Sequence, residues 1–443
     1  MHNINRRDFL KLSASGAAAA TLGPLLSTQA FAAAQSAGDY KPMFEIEDNA
    51  ELQLLRWTGF IKSDEEVWDK NTERFTQLTG VKVQKQSLTW TDVQPKSALA
   101  AQLGSGPDII MGWYDDPFIY PDQLVDVSEV CDHLGKTYGG WFDVAKSYGY
   151  SEEQKRWIAV PVGAPGNAMT YRKSWVQEAG FDEFPTDFDG FLKMARALKK
   201  NGHPIGLPLG HAVGDANSWV HWVLWGFGGK QANEDNSVAI NSKETVEALD
   251  YAKALFETMP PGVSSWLDAN NNRAFLSGHI SVAQNGISIW HVAQNEFPKL
   301  KDDIHNAANP VGPVGHPTTY NLFTQAFVFK YTKYPNAAKE YLRFMLEKEQ
   351  TAPWVTAMTG YVTPALKAYS DLPIWTRNPD ITPYRDVLVG SHFDGWAGKP
   401  GKAAARALND FVIVDMFADA CVNGVSSKDA AANAEKRLKD VYS

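Results

Sequence analysis

The chain has 443 residues, with 42 Lys and Arg against 51 Asp and Glu and only two cysteines. That length implies two or three domains; the net charge of −9 gives no footprint for nucleic acid or an anionic membrane surface, and two cysteines exclude a disulfide scaffold. The 15 Trp, 16 Tyr and 22 Phe exceed what packing asks of indole rings, and point to a ligand with apolar faces.

The N-terminus reads Asn5-Arg6-Arg7-Asp8-Phe9-Leu10-Lys11 and continues as an Ala-rich apolar run to about Ala34. A paired arginine before such a run is a twin-arginine export address, read by a receptor and used by proteins that leave the cytoplasm already folded. The run is too short and small-residued to hold a bilayer, and Ala30-Phe31-Ala32 supplies a cleavage pattern, so residues 1–32 are expected to be removed. The mature chain keeps 39 basic and 50 acidic residues, a charge near −11. No later run could span a membrane, so a soluble periplasmic protein is expected. Cys131 and Cys421 read as small buried hydrophobes, with a disulfide between them the weaker alternative.

Leu52–Trp57 has strand character, and Ser63-Asp64-Glu65-Glu66 is a capping box for a helix that runs to about Leu78 and stops at Gly80. Val81–Gln84 is a second strand, Thr91–Leu103 a second helix, and Gly106-Pro107 leads into a third strand, Asp108–Met111. Strand, helix, strand, helix, strand is the pattern of a parallel sheet covered by helices. In such sheets ligands gather beyond the carboxyl ends of the strands. Trp57 and Trp113-Tyr114-Asp115-Asp116 occupy those ends.

A hairpin around Ser151–Lys155 leads to Pro161-Val162-Gly163-Ala164-Pro165-Gly166, whose prolines and glycines disfavour a central strand and suggest a crossing between lobes. The α/β pattern then repeats. A helix after Thr186 aligns Phe188, Phe191, Leu192, Ala195 and Leu198 and stops at Gly202; a strand is expected at Ile205–Leu209, a longer helix from Ser242, and a strand at Ile280–Ala283. Asn309–Pro313 is a second crossing, followed by a strand at Phe327–Phe329 and a helix at Pro335–Leu346. Thr363-Pro364 is a third.

Four stretches resemble a known family. They are Gly106-Pro107-Asp108-Ile109-Ile110 with its aromatic-acidic loop; Asn167-Ala168-Met169-Thr170-Tyr171-Arg172-Lys173; Ala274–Val282 with Asn285-Gly286 and Trp290; and Tyr334–Leu342. In this order, over roughly residues 50–440, they are similar to the extracellular solute-binding proteins of ABC importers, in the branch containing maltose-binding protein. The resemblance implies an α/β, two-lobed periplasmic binding protein type II fold with discontinuous lobes and a multi-strand hinge. The first lobe would comprise residues 45–160 and 312–362, the second 166–308 and 364–443, with crossings near 161–166, 309–313 and 362–364. The implied function is capture of a sugar, oligosaccharide or polyol by a monomer that docks on membrane permease subunits, with no cofactor and no metal.

A sugar offers C–H patches to rings and hydroxyls to acids and amides. Stacking about 100 Å² of C–H surface on an indole is worth roughly 2–3 kcal/mol, whereas each hydroxyl bond adds about 1 kcal/mol net. Candidate contacts are therefore Trp57, Trp113, Tyr114, Asp115 and Asp116 on the first lobe, although adjacent acids before Pro117 also suit a solvated turn. On the second lobe they are Asn217, Trp219 and Trp222, although a Trp stripe at helical spacing is usually core, and Trp225 is read as packing. Asn285 and Trp290 follow by resemblance, with Ser288 competing for the position of Trp290. Trp396, in a Gly-flanked loop, and Asn167, at the hinge, complete the set.

An enzyme is not expected. The sequence has no Gly-x-Ser-x-Gly elbow and no His-Glu-x-x-His, and Gly226–Lys230 lacks phosphate-loop spacing. Asp268–Asn272 imitates a calcium loop, then fails at Arg273 and His279. A motif-free carboxylate pair of a secreted carbohydrate-active enzyme is the remote alternative; the same fold binding a phosphorylated polyol or a polyamine is the nearer one.

Overall fold

The computed structural model describes residues 40–443, so the twin-arginine segment and its expected cleavage site lie outside the described residues. Eleven strands occur among them: β1 Glu51–Trp57, β2 Lys82–Leu88, β3 Ile109–Trp113, β4 Tyr150–Ser151, β5 Arg156–Trp157, β6 Val160–Pro165, β7 Ala168–Arg172, β8 Val282–Asn285, β9 Ile304–Ala307, β10 Thr324–Val328 and β11 Val362–Pro364. Six of them form a sheet in the order β11-β6-β10-β3-β1-β2, three form a second sheet in the order β8-β7-β9, and β4 and β5 make a hairpin.

The first three strands are parallel, as the sequence pattern predicts, with Leu54 opposite Ile109 and Leu55 opposite Ile110. β3 is buried throughout. β2 is the half-exposed edge, and its Lys82 and Lys85 hinder further strand addition there. The helix Lys62–Thr79 ends at Gly80, whose φ of 77° suits only glycine without strain. Its predicted capping box does not form. Ser63 instead donates to the carbonyl of Ala357, and Asp64 turns inward to a fully buried ion pair with Arg56 at 2.6 Å, which the indole N–H of Trp354 also joins.

The segment 161–166, expected to avoid a central strand, is one. β6 lies between β11 and β10. It carries its prolines because Pro161 falls beside a register shift opposite Thr324 and Gln325, and Pro165 is the last residue of the strand. Gly163 permits the close approach to β11: its φ is 150°, and a Cβ there would stand 2.2 Å from the carbonyl oxygen of Thr363. Gly166 and Asn167 then carry the chain straight from β6 of the larger sheet to β7 of the smaller one.

Around the smaller sheet, the helix Phe188–Lys200 is capped by Asp187 and buries Phe188, Phe191, Met194, Ala195 and Leu198. Leu192, expected on that face, is only half-buried. The helix Lys243–Phe256 is capped by Ser242, and all twelve residues of the helix Asp215–Gly226 are buried. The strand expected at Ile205–Leu209 is absent, because Pro204 and Pro208 lack the donors a ladder needs; the stretch keeps single bonds such as Gly206 N–H to Val282 O. The strand expected at Ile280–Ala283 lies two residues later, and that expected at Phe327–Phe329 begins earlier, at Thr324. The helix Pro335–Leu346 has the expected bounds.

Residues 42–443 form one compact unit. No helix among the described residues is long and apolar enough to cross a membrane. Cys131 is buried and Cys421 half-buried, and neither is paired.

Candidate functional site

A cavity of about 40 Å³ lies between residues of the two sheets. Its apolar wall comes from the larger sheet and its connections. Beyond β1 the chain turns at Gly59 and presents Phe60; beyond β2, Trp90 opens the helix Trp90–Leu103; Pro165 ends β6, and Leu322 and Tyr361 precede β10 and β11. These rings are stacked in depth. Trp90 lies 4.8 Å from Trp57 at 22°, 4.8 Å from Trp113 at 50°, and 6.4 Å from Phe60 at 17°. Trp57 and Trp113 are therefore fully buried behind Trp90 and support it.

The polar wall comes from the smaller sheet and its helices. Asp215 begins the helix Asp215–Gly226, and Asp268 Oδ1 accepts the backbone N–H groups of Gly214 at 3.0 Å and Asp215 at 2.8 Å. Asp215 Oδ2 accepts from the amides of Asn271 at 2.8 Å and Asn285 at 3.1 Å. Asn285 also donates to Asn272 Oδ1 at 2.7 Å, while Asn272 donates to Ser288 and Ser288 to Asn285 Oδ1. Burial raises the pKa of Asp215 well above its ordinary value, and the Asp268 charge adds to the rise; burial raises Asp268 as well. Asn167, between β6 and β7, lines the same cavity, with its amide donating to Ser218.

The other predicted residues fall into three places. Tyr114 and Asn217 line a neighbouring cavity of about 240 Å³ with Gln94, His211 and Phe411. Tyr114 holds a φ of 51°, stacks on Tyr320 at 5.0 Å and 3°, and donates to Val213 O. Asp115 and Asp116 are buried under this loop rather than solvated: Asp115 accepts from Gly401 N–H, and Asp116 from Gln94 and from Trp113 N–H. Burial raises Asp115 well above its ordinary value, and the adjacent Asp394 charge raises it further. Burial pushes Asp116 up to about 7 and Asp394, which accepts from Tyr148, up to about 6.

Trp219, Trp222, Trp290 and Trp396 do not line either cavity. Trp219 and Trp222 commit their indole N–H groups to the carbonyls of Pro208 and Pro310, and Trp222 packs edge-on against Phe188 and Phe191. Trp290 is buried in its helix, and Ser288 takes the cavity position. Trp396 stacks on His392 at 3.9 Å and edges against Trp225. Sequence reasoning missed Phe60, Trp90, Asp215, Asp268, Asn272 and Tyr361. The rule that singled out Trp57 and Trp113 also reaches Trp90, two residues past the end of β2. Among the described residues no group of three His, Cys, Asp or Glu side chains is placed to hold a metal ion.

Two sheets joined directly through Gly166 and Asn167, with a ring-and-carboxylate cavity between them, define a two-lobed binding protein. Residues 70–383 match the family described as bacterial extracellular solute-binding protein, and residues 3–23 match the twin-arginine translocation signal. The chain belongs to this family and is exported to the periplasm by the twin-arginine route. It is 24% identical over 287 residues to a binding protein of Brucella abortus (strain 2308), covering 63% of this chain and 67% of that one. It is 25% identical over 316 residues to YcjN of Escherichia coli (strain K12), which carries the name of an ABC transporter periplasmic-binding protein, covering 68% and 70%. In fold it is similar to maltose-bound MalE3 of T. maritima (TM-score 0.75, 20% identity, 88% of this chain and 100% of that one). It is equally similar to a laminaribiose-bound sugar transporter of Arthrobacter chlorophenolicus A6 (TM-score 0.75, 18% identity, 88% and 99%).

Proposed function

We propose that the protein captures a carbohydrate between its two sheets and delivers it to the membrane permease of an ABC importer. The observation that carries this reading is the cavity itself, with Trp90, Phe60 and Tyr361 on one wall and Asp215, Asp268, Asn272 and Asn285 on the other. Rings bury the C–H faces of a pyranose, and carboxylates and amides bond its hydroxyls. The lobes are those of residues 45–160 with 312–362 and 166–308 with 364–443, hinged where the chain passes between sheets. At about 40 Å³ the cavity is far smaller than the ~300 Å³ or more of a small-molecule site, so the lobes part to admit solute. A ligand that touches both walls then favours closure by the contacts it makes only in the closed form.

Solute binding without turnover is the reading for this chain. Asp215 and Asp268 lie on one wall, and Asp268 is tied to the start of a helix, whereas glycoside cleavage places two carboxyl groups on opposite sides of the bond. A phosphorylated polyol lacks a partner, since no Lys, Arg or His lines the cavity. The test is tryptophan fluorescence and thermal shift of the mature protein across neutral sugars, polyols and phosphorylated polyols. Stabilisation by a sugar or polyol, with the sugar recovered intact, is the expected result; stabilisation by phosphorylated compounds alone would overturn it.

A further inference from the structure

Every side chain in this cavity that carries formal charge is an acid. Asp215 is 9% exposed, and both of its recorded side-chain donors, Asn271 and Asn285, bond the same oxygen, Oδ2. Oδ1 receives no hydrogen bond from any described residue. Asp268 is held at the same residue, its Oδ1 accepting the Asp215 backbone N–H at 2.8 Å. The amides of Gly214, the residue before the helix, and of Asp215, its first residue, are thereby spent on Asp268, and no cationic side chain lines the cavity to offset a second charge. The amides of Asn285 and Asn272 are turned inward on one another and on Ser288. Burial and the neighbouring Asp268 charge raise the pKa of Asp215, so ionising both acids without a counter-charge is costly and a cationic occupant would favour the ionised pair, and Trp90 with Phe60 gives the facing wall the π-faces that favour a cation.

We propose that the solute is a cationic sugar, a carbohydrate bearing a free amine, whose ammonium group lies at Asp215 Oδ1 beside Asp268 while its ring stacks on Trp90. This rests on the carbohydrate reading above and narrows it. A neutral sugar would satisfy Oδ1 with a hydroxyl but leave the acid pair without a counter-charge. An ammonium donates to Oδ1 and neutralises the pair in one contact. N-acetylation keeps the ring and removes the charge, so it separates the two contributions.

The mature protein is titrated calorimetrically at pH 6 with matched mono- and disaccharides in three forms: 2-amino-2-deoxy, 2-acetamido-2-deoxy and the parent 2-hydroxy sugar, with putrescine alongside. The expected result is binding of the amino form about tenfold to hundredfold tighter than the other two, the range of one charge-assisted hydrogen bond. Asp215→Asn should reduce that preference to within about threefold, read as the ratio of amino-sugar to parent-sugar affinity in the same variant, and Asp268→Asn should reduce it in part. Equal affinity for all three sugar forms in the wild-type protein would overturn the proposal and leave the carbohydrate reading standing, whatever the variants do. Putrescine binding with no sugar binding would overturn both, as would the absence of binding by any of the four.

Discussion

Trp90 shows how much one side chain can gather. Trp57, Trp113 and Phe60 pack on it, so two of the predicted contacts, Trp57 and Trp113, stand behind a ring that the composition could not single out among fifteen indoles. Strand-end position was legible in the sequence; which of several strand-end rings faces the cavity depends on side-chain packing across β1, β2 and β3, and was not. Trp90→Ala should lower affinity for the solute by about tenfold to hundredfold, the loss of one stacked sugar face, measured by calorimetry, with Trp222→Ala affecting stability instead. Asp116 and Asp394 give a second expectation at this scale. Each is ionised with a pKa near 3.8 in the unfolded chain, but burial lifts the folded values to about 7 and about 6. Their neutral forms add stability below 3.8, and that stability is lost as pH rises through each folded value. Calorimetric melting of Asp116→Asn should therefore fall less between pH 4 and pH 7 than that of the parent chain, and Asp394→Asn less between pH 4 and pH 6; melting curves that track the parent at every pH would refute this.

At the scale of elements, local chemistry was readable wherever one residue decides. Gly80 ends its helix, Asp187 and Ser242 cap theirs, and Pro335 opens another, all from rules that act within a few residues. The capping box at Ser63 failed because the helix begins one residue earlier, at Lys62, and Ser63 is taken by the carbonyl of Ala357, which is 294 positions away and invisible to the box. β6 shows the same limit in reverse. Two prolines and two glycines argue against a central strand, yet the register shift opposite Thr324 and the close approach at Gly163 accommodate them. Gly163→Ala would press a methyl group against the Thr363 carbonyl and force a conformation costly to any L-residue. A loss of about 1–3 kcal/mol in denaturant unfolding is expected, and an unchanged midpoint would show that β6 and β11 can separate without cost.

For the whole molecule, the parallel run β1-β2-β3 follows from periodicity, whereas the proline and glycine placement at 161–166 and 363–364, read as crossings, falls mostly within β6 and β11 of the larger sheet. The antiparallel insertion of β10 between β3 and β6 pairs residues more than 150 positions apart, a distance over which no sequence period carries information. Because the cavity between the sheets is only about 40 Å³, the proposed parting of the lobes predicts that small-angle scattering of the solute-free protein gives a radius of gyration larger than that of the described form, and that bound sugar shrinks it. No change on saturation would argue for a rigid site. The unpaired cysteines have a consequence for assembly. Cys131 is sealed behind Ala159, its thiol pKa pushed well up by burial, and Cys421 is raised to about 12 for the same reason. A chain sent abroad fully shaped meets oxidants only after Cys131 has been buried and Cys421 half-covered. Its maturation therefore owes nothing to oxidative folding catalysts, and its heat tolerance should be the same with and without a strong reductant.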